Sequence, residues 1–181
     1  MQNLNFDKIK VTSVKRISLT KNQYAIVDND DYEWLSKFNW CFTAGRSSYA
    51  VRQIGTNKKS KHLSMHRAIT KAPEGSYVDH INGNTLDNRK CNLRLCTNRE
   101  NLINSKLRSD NTSGYRGVHW SKQKSKWQAT IHNKGHLYHL GFYDDKRKAA
   151  IVYDEAALKM FGEFARFNLL KRKGSSAEAA P

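Results

Sequence analysis

Asp79 and His80 stand side by side near the head of VDHINGNTLDNRKCNLRLCTNRENLIN, residues 78–104, where seven of 27 residues are asparagine. Asparagine is depleted in helices and strands. The density therefore means either a string of turns or carboxamides gathered with a carboxylate and an imidazole around a reacting group. VDHING reads as a strand entering an Asn-Gly turn, and NLRLCT as the returning strand. A helix from Thr97 or Asn98 through Asn104 follows, with Glu100 three residues after Thr97 as in a capping box. This hairpin and helix place Asp79 and His80 on the first strand and project Asn101 toward them. A carboxylate and an amide oxygen make an incomplete magnesium shell that phosphate and water complete. An imidazole beside such a metal can take a proton from an attacking water. Asn82, Gly83, Asn84, Asp87 and Asn88 read as turn formers, and Asn98 as a cap. Arg89, Lys90 and Arg94 surround the hairpin and Arg67 precedes it beside His66; the arginines are candidates for gripping the DNA backbone.

These residues carry a resemblance. The run DHINGN…DNRKCNLRLCTNRENLIN, with MHRAI ahead of it, resembles the ββα-metal core of HNH endonucleases of the phage and intron-encoded homing type. The match includes the spacing of 12 from His80 to Asn92 and of 9 from Asn92 to Asn101. It implies that Asp79 and Asn101 ligate one divalent ion per active site, Mg²⁺ or Mn²⁺. It also implies that His80 is the general base, that Asn92 holds the His loop by hydrogen bonding, and that the products carry 5′-phosphate and 3′-hydroxyl ends. Asparagine at the last position, in place of histidine, suits Mg²⁺ or Mn²⁺ better than zinc.

Positioning those residues requires a fold around them. RISLT and YAIV read as strands, and DNDDYEWLSKF as a helix with acidic cap residues and Trp34, Leu35 and Phe38 at helical spacing. Strands WCFTA, YAVRQI and HLSMH and a short helix HRAIT complete the first half. Trp34, Phe38 and Trp40 are expected in its core. SKLRSDNTSG (105–114) reads as a linker. Beyond it, YRGVHW (115–120), KWQATIH (126–132) and HLYHLGFY (136–143) read as three strands. A helix with an apolar stripe then runs from Asp144–Asp145 to about Phe161. The expected class is α+β: an HNH module over 1–104 with its ββα-metal core at 77–104, and a three-stranded antiparallel sheet packed on one helix over 115–170. A disordered tail is expected over 171–181.

The second half, through YRGV, KWQATI, LGFYD, AAIVYDEAA and a G-x-x-A-x-x-N run, resembles the AP2/ERF DNA-binding domain of plant transcription factors. The resemblance implies a sheet laid in the major groove, with Arg116, His119, Lys122, Lys126, Thr130, His132 and His139 at the DNA-contacting positions. Several family arginines are histidine or lysine here, and a base-contacting tryptophan corresponds to His139. The plant target sequence does not carry over, and the sheet is expected to grip mainly phosphate. Trp120 and Trp127 are assigned to structure.

Composition agrees with a nucleic-acid partner. Of 181 residues, 32 are Lys or Arg and 16 are Asp or Glu, a net charge of +16. Residues 1–109 carry 19 basic and 9 acidic groups, and residues 110–181 carry 13 and 7, so both halves are basic. Three cysteines, Cys41, Cys91 and Cys96, fit no disulfide framework or zinc site and are expected as small buried hydrophobes. No apolar run of 18 residues exists, and MQNLNFDKIK lacks a signal-peptide core. The chain is thus expected to act on double-stranded DNA in the cytoplasm of a bacterial or phage-infected cell, with no membrane and no obligatory protein partner. The alternative is a non-catalytic DNA-binding regulator with a decayed nuclease core.

Overall fold

The computed structural model describes residues 13–45, 48–55 and 60–171, so the expected tail beyond Lys171 and the N-terminal decapeptide lie outside the described residues. The chain divides into two compact units, Met1–Thr97 and Asn98–Pro181. Each is a mixture of helices and small antiparallel sheets.

In the first unit β1 (Val14–Ser18) pairs with β2 (Tyr24–Asp28), which runs directly into α1 (Asn29–Leu35). A second sheet has the order β3 (Cys41–Thr43), β4 (Tyr49–Ile54), β5 (Lys61–Ser64), and α2 (Met65–Thr70) follows. The hairpin of β6 (Tyr77–His80) and β7 (Leu93–Cys96) closes the unit. Ile17, Ala25, Val27, Leu35, Trp40, Ala50, Met65, Ile69 and Leu93 form one core. Burying side chains such as Val27, Leu35 and Met65 stabilises the unit by about 1.5–3 kcal/mol each. Of the three expected core aromatics, Trp40 is buried and donates its indole N–H to the Leu35 carbonyl, and Trp34 packs at the core's margin. Phe38 does not enter. It follows the last turn of α1, is exposed, and is covered by the Arg52 guanidinium 3.8 Å from its ring centre. Of the cysteines, Cys96 is buried, whereas Cys41 and Cys91 are exposed, which corrects the expectation for those two.

The second unit begins with α3 (Asn98–Ile103). The 105–114 segment, expected as a linker, carries a bonded turn: the Asn111 side-chain oxygen accepts from the Gly114 N–H, and its amide nitrogen donates to the Tyr115 carbonyl. Strands β8 (Val118–Ser121), β9 (Lys126–Asn133) and β10 (His136–Tyr143) form an antiparallel sheet with β9 central. Helix α4 (Lys146–Phe161) buries Ala149, Ala150, Tyr153 and Ala157 against it, capped by the Asp145 carboxylate accepting from the Arg147 N–H. The small alanines let the helix approach closely.

The first strand starts three residues later than its sequence reads because Gly117 takes φ +69°. A Cβ there would lie 2.2 Å from the Tyr153 ring and 2.4 Å from the Thr130 carbonyl oxygen. Gly117→Ala therefore combines left-handed strain, roughly 1–2 kcal/mol, with overpacking of about 1–3 kcal/mol. Chemical denaturation of the purified variant should show a loss of at least about 2 kcal/mol in the second unit. An unchanged midpoint would contradict the packing described.

Candidate active site

The β6–β7 register places Asp79 opposite Arg94 and His80 opposite Leu93. Consecutive strand residues point to opposite faces, and Asp79 and His80 accordingly meet different partners. Arg94 donates to Asp79 Oδ2 from Nε at 2.9 Å and from Nη2 at 2.6 Å, with both side chains nearly buried. His80, 4% exposed, packs edge-on against His66 (5.1 Å between ring centres) and lies 6.1 Å from the Tyr49 ring.

On its other side the His80 ring meets Asn88, whose Oδ1 lies 3.4 Å from Nε2. The Asn88 amide nitrogen donates to the Leu86 carbonyl, so it is the amide oxygen that faces the imidazole. Nε2 then carries the proton and Nδ1 holds the lone pair. Burial pushes the His80 pKa down, and the Asn88 contact and the carboxylates of Asp79 and Asp87 only partly offset it. The ring is thus neutral at physiological pH, the state a general base requires. His66 is pushed down to about 3 by burial and then by the neighbouring His80 and Arg67.

The loop between the strands is built from its asparagines. Asn82 Oδ1 accepts from the Asn84 N–H, and Asn84 Oδ1 from the Leu86 N–H, which are turn roles. Asp87 is clamped by Arg89 at 2.8 and 2.7 Å and accepts from the Asn82 amide. Burial alone would raise the Asp87 pKa; the Arg89 pair and Asn82 outweigh it and hold it below the usual carboxylate value. The loop is pinned to β2 by Ile26 N–H to Leu86 O and Asn88 N–H to Ile26 O.

Asn92 ties both ends of this loop. Its Oδ1 accepts from the Asn82 N–H at 2.9 Å, and its Nδ2 donates to the Asp87 carbonyl at 2.7 Å. The carboxamide is buried, so Asn92→Ala leaves two backbone groups without partners, each worth roughly 1–3 kcal/mol. We expect a stability loss of about 2–4 kcal/mol in the first unit by urea titration. A loss below 0.5 kcal/mol would mean water replaces the amide and the loop does not depend on it.

The arginines expected on phosphate are engaged with protein groups. Arg94 holds Asp79 and Arg89 holds Asp87. Arg67 donates to the carbonyls of Ser76, Ala72 and Pro73, fixing the turn before β6. Asn101 lies half-buried on α3, in the second unit. Three side chains around His80 carried no signal strong enough to place them beforehand. Asn88 reads as a turn residue but is 1% exposed at the imidazole. His66 reads as packing or a phosphate contact, and Tyr49 lies 31 residues upstream on another sheet. The MHRAI piece was the one local hint, for His66.

Hard oxygen donors from a carboxylate and a carboxamide suit Mg²⁺ or Mn²⁺, which keep several waters. Among the described residues no three His, Cys, Asp or Glu side chains cluster, so a zinc-type ligand set is not assembled there. An ion on Asp79 would share that carboxylate with Arg94.

In the second unit His119, Lys126, Thr130, His132 and His139 alternate with the core-facing Val118, Trp127, Ala129 and Ile131 and so share the sheet face turned from α4. Lys122 lies exposed in the β8–β9 turn. The Lys126 ammonium lies 3.2 Å from the Asp144 carboxylate. Arg116 donates to the Ser105 carbonyl. Trp120, opposite Trp127 in the register, meets it edge-on yet remains 47% exposed. Gln128, absent from the sequence-derived set, sits at the centre of this face between His119 and His139.

Comparison with known proteins gives the family. The HNH endonuclease family pattern matches residues 70–103, the segment that holds Asp79, His80, Asn92 and Asn101. The chain is 32% identical over 150 residues to "Uncharacterized HNH endonuclease L560" of Acanthamoeba polyphaga mimivirus, covering 82% of this chain and 76% of that protein. The chain belongs to the HNH endonucleases. This HNH endonuclease is also 38% identical over 108 residues to "Protein 3.8" of Escherichia phage T7, covering 59% of this chain and 88% of that protein. Over 85 residues it is 36% identical to "Dehydration-responsive element-binding protein 2D" of Arabidopsis thaliana, covering 45% of this chain and 41% of that protein. No solved structure matches it. No helix among the described residues is long and apolar enough to cross a membrane.

Proposed function

We propose that the chain is a metal-dependent endonuclease of the homing type that hydrolyses phosphodiesters of double-stranded DNA. The observation that carries this reading is His80: buried, oriented by Asn88, next to Asp79 in the chain, and inside the segment that matches the HNH family. In this reading His80 Nδ1 takes the proton from the water that attacks phosphorus. Asn92 keeps the 82–87 loop, and with it Asn88, in register with the imidazole. Asp79 and Asn101 would hold one Mg²⁺ or Mn²⁺, which when bound supplies positive charge to the phosphate and the departing 3′-oxygen. The ββα-metal arrangement and the module boundaries at 104 and 115 belong to the same proposal. So does an active site working in the cytoplasm of a bacterial or phage-infected cell.

The C-terminal sheet positions the nuclease on duplex DNA. Between Arg116 and Tyr143 the chain carries five Lys or Arg residues and no Asp or Glu, a local charge that favours a polyanion. A second reading, a DNA-binding regulator without catalysis, is favoured by one observation: Arg94 already neutralises Asp79. Incubating supercoiled plasmid with the protein in Mg²⁺, Mn²⁺ or EDTA separates the two. Nicked or linear product with the metals and none with EDTA supports the nuclease; binding without product under every condition supports the regulator.

A further inference from the structure

The exposed face of the C-terminal sheet has a hydrogen-bonded row running across its three strands. Gln128 stands at the centre on β9, opposite His119 of β8; its register partner on β10 is Phe142, and His139, paired with Thr130 two residues further along β9, reaches it diagonally past the bulge between His139 and Gly141. His119 Nε2 lies 3.0 Å from Gln128 Oε1, and Gln128 Nε2 lies 2.8 Å from His139 Nδ1. Both imidazoles are exposed. One histidine is held through Nε2 and the other through Nδ1, and that asymmetry has a chemical consequence.

A neutral imidazole has one N–H and one lone pair. With the amide oxygen toward His119, its Nε2 must carry the proton, so its Nδ1 is an acceptor. The amide nitrogen then donates to His139 Nδ1, so His139 Nε2–H is a donor. Turning the amide over reverses both rings together: His119 Nδ1–H becomes the donor and His139 Nε2 the acceptor. In neither orientation do the two second nitrogens have the same character. The strands carrying them are two inter-strand spacings apart, roughly 10 Å.

We propose that Gln128 is a specificity-determining residue that couples the tautomers of His119 and His139, so that the sheet offers duplex DNA one hydrogen-bond donor and one acceptor on either flank of β9. This rests on the reading that the sheet meets DNA, supported by the acid-free, basic 116–143 segment. The partner is the major-groove edge of base pairs, where donors and acceptors differ among the four bases. A phosphate-gripping face would need donors only; a donor paired with an acceptor has a use where a base amino group stands near a base carbonyl or ring nitrogen. Neither histidine can choose its tautomer independently, so the face discriminates at two linked positions instead of one.

The test selects bound sequences from a randomised duplex library at pH 8.5, using the full chain carrying His80→Ala so that cutting is slowed by about 10²–10⁴-fold. Added to this background, Gln128→Leu removes both hydrogen bonds and should flatten preference at two positions, each by roughly three- to tenfold, the size of one net hydrogen bond. Gln128→Glu accepts on both sides, which turns His139 Nε2 from donor to acceptor. It should exchange the base chosen at one position and leave the other. An unchanged selected site in Gln128→Leu would overturn the proposal. If the background protein binds no duplex at all, the DNA reading itself fails, and this is a different outcome. Independently of DNA, ¹⁵N spectra of the side chains should show both rings protonated at the same nitrogen. Opposite tautomers in His119 and His139 would refute the coupling.

Discussion

His80→Ala should cut DNA about 10²–10⁴-fold more slowly than the unaltered chain, the usual cost of losing a general base, while binding the same duplex with similar affinity. Nδ1 is the basic atom because Asn88 fixes the proton on Nε2, and burial keeps the ring neutral and ready to accept a proton. The Lys and Arg residues that would hold the DNA backbone are not removed, which separates chemistry from binding. Single-turnover cleavage beside a gel-shift titration checks both halves. A His80→Ala protein that cleaves within threefold of the unaltered rate would remove His80 from the chemistry.

The second large effect is on stability. Asp154 on α4 is fully buried, and its carboxylate accepts three backbone N–H groups: Asn168 at 2.8 Å, Leu169 at 2.7 Å and Leu170 at 3.0 Å. The segment it holds in turn supplies Asn168, which accepts from the Arg116 N–H and donates to the Arg116 carbonyl just before β8. Asp154→Ala removes the acceptor of three part-buried backbone donors and frees this clasp. Losing one partner of a buried charged network costs about 3–5 kcal/mol, a large part of the 5–15 kcal/mol that typically holds a domain together. Urea unfolding should show the second unit melting far earlier, or already unfolded in buffer. Asp154→Asn, which keeps one acceptor oxygen, should lie between. A loss under 1 kcal/mol for Asp154→Ala would show that the clasp does not hold the unit.

How much of this was legible beforehand follows the range of the interactions. Strands β4, β9 and β10, helices α2 and α4, and the hairpin around Asp79 and His80 are set by local pattern and turn chemistry, and they appear within one or two residues of where the sequence places them. Gly117 moved the start of β8 because its backbone meets Tyr153, 36 residues away, a contact no local pattern encodes. Phe38 has helical spacing but follows the end of α1, so the stripe carries it past the core. The turn asparagines Asn82 and Asn84 are readable because they bond two residues on. Asn88 is not, because the β2 strand that buries it is some 60 residues earlier in the chain. The arginines around the hairpin look free in a sequence; only the β-ladder puts Arg94 opposite Asp79. Gln128 was missed for the same reason, since its importance lies in the two strands beside it.

Cleavage of supercoiled DNA in H₂¹⁸O with Mg²⁺, followed by mass spectrometry of the ends, tests the central claim most directly. If the protein hydrolyses the phosphodiester with water attacking phosphorus and the 3′-oxygen leaving, one ¹⁸O appears on each new 5′-phosphate, and EDTA abolishes the product. No cleavage with any divalent ion, or label on the 3′ side of the break, would contradict the account.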